Sequence, residues 1–244
     1  MNLVIDIGNT RTKTGIFSGD DLLKHDSFPK IAIENIQNTI GSNQIKNCIY
    51  STVAKKGNYL VSDLKKLFPV LLLDEKTPVP FKSKYQTPST LGNDRKANIA
   101  GAMKLFPGKD VLVIDVGTCL KTDFINEAGE YLGGSISPGL EMRFKSLKHF
   151  TARLPLVTYE SFDELTGNST KNSILSGVIN GMMMEIEGFI EKYDLKYSNL
   201  SVILTGGDTY VFDKNLKISI FVAPYLSLSG LNEILIYNVE RNKS

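Results

Sequence analysis

Across its 244 residues the chain carries only two histidines, His25 and His149, and two cysteines, Cys48 and Cys119. The histidines stand far apart, which excludes a histidine-rich zinc site and an evident Ser–His–Asp constellation. The cysteines fall one in each half with no C-x-x-C pair, so reduced thiols in a cytoplasmic protein are expected. No charge of one sign dominates. The net charge is +2 with no basic run or stripe, and a nucleic-acid partner therefore has no electrostatic support. Long apolar runs are missing as well: Val70–Leu73 and Met182–Met184 fall far short of the roughly 18 residues of a membrane span. Asp6 interrupts the first apolar run and no basic region precedes it, which speaks against a secretory signal. There is no low-complexity segment, linker or heptad run. Apolar content of 42% and charged content of 22% are ordinary for a globular protein. Chemistry in such a chain runs on carboxylates, hydroxyls, lysine and backbone amides.

The stretch Leu3-Val-Ile-Asp6-Ile-Gly8-Asn9-Thr10-Arg11-Thr12-Lys13-Thr14 opens with a β-branched apolar run that ends in an acid, the pattern of a buried strand. Glycine and small polar residues follow, and a second strand starts at about Thr14. A hairpin of this kind offers backbone N–H groups, the Thr10 and Thr12 hydroxyls and the Lys13 ammonium to a phosphate, with Asp6 available to a hydrated cation. It is not a Walker A loop, since no G-x-x-x-x-G-K-[ST] follows. The pattern then recurs. Leu112-Val-Ile-Asp115-Val-Gly117-Thr118 repeats Leu3–Asn9 at an offset of 109 residues, with five of seven positions identical. An internal repeat speaks to architecture more strongly than any single motif. It predicts two similar halves, 1–110 and 111–244, each delivering an aspartate to a shared cleft, with the final helix able to pack back on the first half.

Between and after these hairpins the chain alternates strands and helices, as an α/β protein does. The expected elements are a helix over 31–40, a strand at Cys48–Val53, a glycine turn and a helix over 59–68, and a strand at Val70–Leu73. A proline-bearing loop, 74–91, then leads into a helix beginning at Gly92-Asn93-Asp94-Arg95, with Ile99, Met103 and Phe106 as its apolar stripe. Asp94 is either a plain helix-dipole acid or a carboxylate held ionised at a helix start beside a loop that covers a substrate. Gly133-Gly134-Ser135-Ile136-Ser137-Pro138-Gly139 is either a tight bend or a ligand-facing backbone near the Asp115 loop. A long helix over 171–193 carries an apolar stripe from Ile174 to Tyr193. On another face Gly177, Gly181 and Gly188 invite close packing, within or between subunits. A strand at Leu200–Leu204 ends in Gly206-Gly207-Asp208. The residues alone reach a two-lobed nucleotide-dependent phosphotransferase.

Taken together and in order, Asp6-x-Gly8-Asn9-Thr10, Tyr85 with Gly92-x-Asp94-Arg95, Asp115-x-Gly117-Thr118, Gly133-Gly134-x-Ile136-x-Pro138-Gly139, Thr151-Ala-x-Leu154-Pro155, Gly167-x-x-Thr170 and Gly206-Gly207-Asp208 resemble the type III pantothenate kinases. These belong to the superfamily of acetate and sugar kinases, heat-shock chaperones and actin. The resemblance implies two ribonuclease-H-like (actin-like ATPase) halves around a nucleotide cleft. It further implies ATP-dependent phosphorylation of pantothenate to 4'-phosphopantothenate, the first step of coenzyme A biosynthesis. By motif, Asp6, Gly8, Asn9, Thr10, Arg11, Thr12 and Lys13 match the ATP phosphate loop, with Asp6 serving Mg2+ directly or through water, and Thr118 matches a second ATP contact. Asp94 matches the carboxylate that takes the proton of the pantothenate hydroxyl. Tyr85, Gly92, Asn93, Asp94, Arg95 and Thr170 match pantothenate contacts, and a guanidinium such as Arg95 suits the substrate carboxylate. Asp115 matches the ligand of a monovalent cation, potassium or ammonium. The resemblance also implies a homodimer whose site both subunits complete. Two residues depart from the family pattern: Cys119 stands where alanine is common, and Lys121 where threonine is usual, so Lys121 either alters the monovalent-cation requirement or supplies a charge of its own. The competing expectations are a non-catalytic regulator that keeps the fold and a different phosphotransferase acting on a polyanion; the second calls for a basic channel that the sequence does not show.

Overall fold

The computed structural model describes residues 1–29, 32–53, 60–213, 216 and 219–242. The glycine turn expected after Val53, and the starts of the helices expected at 31 and 59, lie outside them. The chain divides into two compact units, one formed by Met1–Gly108, Ile125–Leu132 and Tyr225–Ser244, the other by Lys109–Phe124 and Gly133–Pro224.

In the first unit, β1 (Asn2–Ile7), β2 (Thr12–Ser18) and β3 (Asp21–Phe28) form an antiparallel meander, and β4 (Asn47–Thr52) and β5 (Val70–Leu72) add in parallel beside β1, giving the order β3-β2-β1-β4-β5. Residues 3–7 are all buried, as a central strand with both faces covered requires. On one face Leu3, Ile5, Ile7, Cys48 and Tyr50 pack with Ile36 of α1 (Ile33–Ile40) and Leu64 of α2 (Val61–Leu67). Burial pushes the Cys48 thiol up to about 12, so it behaves as a small apolar core residue. α3 (Asn93–Leu105) packs against α6 (Leu226–Arg241), and α6 also packs on β1 and β4.

The apolar stripe expected on α3 is too narrow a description. Residues 95–102 are buried in succession, whereas Met103 and Phe106 are only half-buried. The reason is the closeness of α6: a Cβ on Gly230 would lie 1.7 Å from the Ala97 carbonyl oxygen, and one on Gly101 would lie 2.7 Å from that of Leu226. Two glycines let the backbones meet, so even the small and polar faces of α3 are covered.

The second unit repeats the plan. β7 (Val111–Val116), β8 (Cys119–Ile125) and β9 (Glu130–Pro138) follow one another across the sheet, and β10 (Ser201–Thr205) and β11 (Phe221–Val222) add in parallel beside β7, giving β9-β8-β7-β10-β11. This is the strand order of the first unit. The tip of the β8–β9 hairpin belongs to the first unit, where Glu130 and Tyr131 pair with β6 (Lys82–Ser83). α4 (Leu140–His149) and α5 (Thr170–Asp194) cover the second sheet with Phe144, Ile174, Val178, Met182 and Ile186 against Leu112, Ile114, Phe124 and Leu204. Ser169 caps α5, its hydroxyl accepting the Asn172 N–H at 3.2 Å. Gly177, Gly181 and Gly188 of α5 meet nothing within this chain where a Cβ would stand, so the close packing expected there is not made among the described residues.

Candidate active site

Asp6 ends β1 at 9% exposure. In the sheet register it lies opposite Lys13 on β2 and beside Ser51 on β4. The Gly8 N–H donates to the Arg11 carbonyl at 3.0 Å, closing a turn that leaves Asn9, Thr10 and Arg11 exposed. Arg11 is tied back: its Nε donates to Ser27 Oγ at 2.8 Å and an Nη to the Ser27 carbonyl at 3.0 Å. Thr12 is buried within β2, so the open part of the loop is Gly8–Arg11. The Ser51 hydroxyl is buried with no hydrogen-bond partner among the described residues. A carboxylate and an unsatisfied hydroxyl on adjacent strands form an all-oxygen donor set, which fits hydrated magnesium, an ion usually held by one or two carboxylates and the substrate phosphates. Among the described residues no three carboxylate, histidine or cysteine side chains converge as a metal centre of their own.

The start of α3 is anchored from two sides. Asn93 Nδ2 donates to the Leu73 carbonyl at 2.9 Å, and Lys96 Nζ donates to the Asp74 carbonyl at 2.8 Å. Burial draws the Lys96 ammonium below the usual lysine range, with Asp74 and Glu75 opposing the shift. Asp74, Asn93, Lys96, Thr52 and Leu91 line a cavity of about 500 Å³. Between the anchors, Asp94 Oδ1 accepts the Arg95 N–H at 2.9 Å. A Cβ on Gly92 would lie 2.5 Å from that carboxylate oxygen, so glycine is what lets Asp94 sit there.

Arg95 is 4% exposed. Its guanidinium carbon stands 5.5 Å from the Tyr85 ring centre and 5.9 Å from that of Tyr131, and the two rings are stacked 6.0 Å apart. The arginine is thus a buried strut in an aromatic cage, where cation–π attraction holds it, and not an exposed fork. Sequence reading missed Tyr131. It reaches Tyr85 only because β9 pairs with β6, a contact that no local motif announces.

In the second unit the Gly117 N–H donates to the Cys119 carbonyl at 3.1 Å, making a tighter turn than the first. Lys121 Nζ lies 2.8 Å from Asp115 Oδ2, with the two side chains 13% and 15% exposed. The turn is walled in. Gly139 donates to the Thr118 carbonyl at 3.2 Å, and a Cβ on Gly139 would fall 2.1 Å from the Gly117 carbonyl oxygen. Gly206, at φ +108°, brings the Asp208 N–H to the Val116 carbonyl at 3.0 Å. Burial raises the Asp208 carboxyl above its ordinary range, with Glu141 and Asp115 adding to the rise. Thr118 is exposed. Thr170, in the first turn of α5, lines a cavity of about 650 Å³ with Arg143, Ser146, Leu154 and Ser173. Arg143 pairs with Glu185 and donates to the Pro138 carbonyl at 2.8 Å. The Gly-rich stretch before α4 is thus held by a side-chain network that the sequence did not announce.

Two units of one strand order, each presenting an aspartate where its first strand turns, define the actin-like ATPase class of folds. Solved structures agree: a protein described as a Baf family transcriptional activator from Campylobacter jejuni aligns at TM-score 0.61 and 23% identity over 98% of this chain and 99% of that one. The activator of the 2-hydroxyisocaproyl-CoA dehydratase from Clostridium difficile, with bound ADPNP, aligns at TM-score 0.56 and 13% identity over 100% and 97%. Within that class, the family model for type III pantothenate kinase matches residues 2–192. The type III pantothenate kinase of Christiangramia forsetii is 48% identical over 98% of this chain and 99% of its own, and that of Cytophaga hutchinsonii is 46% identical over 98% and 100%. The chain belongs to the type III pantothenate kinase family.

Proposed function

We propose that this chain transfers the γ-phosphoryl group of ATP to the primary alcohol of pantothenate, giving 4'-phosphopantothenate, with Asp94 as the residue that handles the alcohol proton. The observation that carries the reading is the carboxylate at the start of α3: Gly92 leaves it room and the Arg95 N–H fixes Oδ1. Asp94 orients the hydroxyl and accepts its proton as the bond to phosphorus forms, a contribution of about 10²–10⁴-fold in rate.

Phosphoryl transfer asks a protein mainly for in-line positioning and charge neutralisation. The open turn Gly8–Arg11 supplies backbone donors to the phosphates and Lys13 supplies a positive charge opposite Asp6, while Thr118 is the second ATP contact that the family resemblance implies. Asp6, with Ser51 beside it, would hold magnesium, directly or through water; the bound ion neutralises charge on the phosphate oxygens. Tyr85 and the Gly92–Arg95 segment form the pantothenate side, with the caged Arg95 setting the Tyr85 ring rather than reaching solvent. Thr170 adds a contact from α5.

The homodimer belongs to the same proposal. The open glycine face of α5, with Met184 58% and Met142 42% exposed, supports a second copy as the partner. No described helix is long and apolar enough to cross a membrane, which fits the cytoplasmic site of action proposed here. The test is ADP release with magnesium ATP, with and without pantothenate, and identification of the product by mass. Turnover that requires pantothenate and yields a phosphorylated product is expected. ADP release indifferent to pantothenate, from folded protein, would contradict the proposal.

A further inference from the structure

The monovalent cation implied at Asp115 does not fit this chain. The oxygen that would hold it, Asp115 Oδ2, lies 2.8 Å from Lys121 Nζ, the separation of a charge-assisted hydrogen bond. Both side chains are largely withdrawn from solvent. An incoming ion would have to shed its water, displace the ammonium and leave a second positive charge beside it.

We infer that the Lys121 ammonium takes the place of a monovalent cation, and that this enzyme works without potassium or ammonium; the inference rests on the pantothenate kinase reading above. The surroundings explain why a charge is needed. Asp115 shares its neighbourhood with Glu141 and Asp208, and the Asp208 carboxyl is raised first by burial and then by these two acids. A cluster of negative charge beside a bound triphosphate calls for a compensating cation. Lys121 supplies it on a four-carbon tether, present at every turnover and independent of the salt in solution.

The backbone explains how the lysine arrives there. In the first hairpin Gly8 bonds Arg11 and Asp6 lies opposite Lys13. In the second, Gly117 bonds Cys119 and Asp115 meets Lys121. The turn is one residue shorter, so Lys121 fills the cross-strand place that Lys13 fills in the first unit. The internal repeat therefore extends beyond L-V-I-D-x-G to a paired lysine, which simple alignment at a constant offset conceals.

The experiment measures pantothenate-dependent ADP release in choline chloride, then with potassium or ammonium chloride at constant ionic strength, for wild type and Lys121→Thr. Rubidium binding by equilibrium dialysis of the nucleotide-free proteins is the second readout. Wild type is expected to turn over equally in all three salts and to show no saturable rubidium site. Lys121→Thr is expected to fall about 10²-fold in choline, to recover at least tenfold on adding ammonium or potassium, and to bind rubidium. A wild-type enzyme that needs potassium, or that binds rubidium saturably, overturns the inference, as does a Lys121→Thr enzyme as active in choline as wild type. If Lys121→Thr fails to fold, Lys121→Met replaces it and the wild-type arms still decide. Absence of pantothenate-dependent turnover in any salt would instead defeat the kinase reading, and the rubidium arm would then judge the Asp115–Lys121 pair by itself.

Discussion

The two hairpins that begin the two units share a sequence and differ in what surrounds them. Around Gly8 the turn is open: Asn9, Thr10 and Arg11 are exposed, and among the described residues an added Cβ at Gly8 meets only the Arg11 carbonyl, at 3.0 Å. Around Gly117 the turn is enclosed by Gly139 and by the Gly206–Asp208 corner, and its aspartate is paired with a lysine of its own. One copy keeps its turn open, with Lys13 opposite its aspartate in the sheet register. The other is completed from within. The duplicated element differs between the units in the neighbours each copy acquired and in its own turn, which is one residue shorter in the second.

The sharpest way to break this contrast is to add one methyl group to each hairpin's surroundings. Gly139→Ala places a Cβ 2.1 Å from a carbonyl oxygen in the closed turn, and a loss of about 4 kcal/mol is expected. At about 2–4 °C per kcal/mol for a chain of this size, calorimetry should show Tm lowered by roughly 8–16 °C. Gly8→Ala, with a contact of 3.0 Å to adjust, should leave Tm within a few degrees and weaken ATP binding instead. Equal losses of stability from both changes would erase the distinction.

The acids allow a second comparison. Asp115→Asn strands the Lys121 ammonium in a largely buried place, and a destabilisation of about 2–4 kcal/mol is expected in urea unfolding. Asp6→Asn should stay within about 1 kcal/mol and show its effect as a raised magnesium requirement. A smaller effect sharpens the picture of the closed side. Burial, with Glu141 and Asp115, raises the folded-state Asp208 carboxyl, so its ionised form opposes folding. Stability from this group is greatest at acid pH and is lost as pH rises through the raised folded-state value. Asp208→Asn should therefore raise Tm by a few degrees at neutral pH, and the gain should vanish below the ordinary aspartate range near 4.

Much of this was legible beforehand, for definite physical reasons. Apolar β-branched runs ending in an acid can hardly be anything but buried strands, and repeating one of them announced two units of one strand order. The start of α3 at Gly92-Asn93-Asp94, and that of α5 to within one residue of the expected 171, were readable because helix-start signals are local. What stayed hidden depends on contacts remote in sequence. α3 is buried nearly all round because Gly230 of α6 admits it, and no periodicity within α3 records that. Tyr131 completes the Arg95 cage through a two-residue strand pairing. Lys121 was visible as a departure from the family pattern, but its role as partner of Asp115 depends on a turn one residue shorter than the first, which only the backbone reveals.

The most direct test of the proposed chemistry is Asp94→Asn, compared with wild type for turnover and for ATP affinity by calorimetry. The substitution keeps the shape of the side chain and its hydrogen bond from the Arg95 N–H while removing the basic oxygen. A fall in kcat of about 10²–10⁴-fold, with ATP affinity unchanged, is the result expected if this carboxylate handles the alcohol proton. Turnover near that of wild type would contradict it and move the chemistry to another residue.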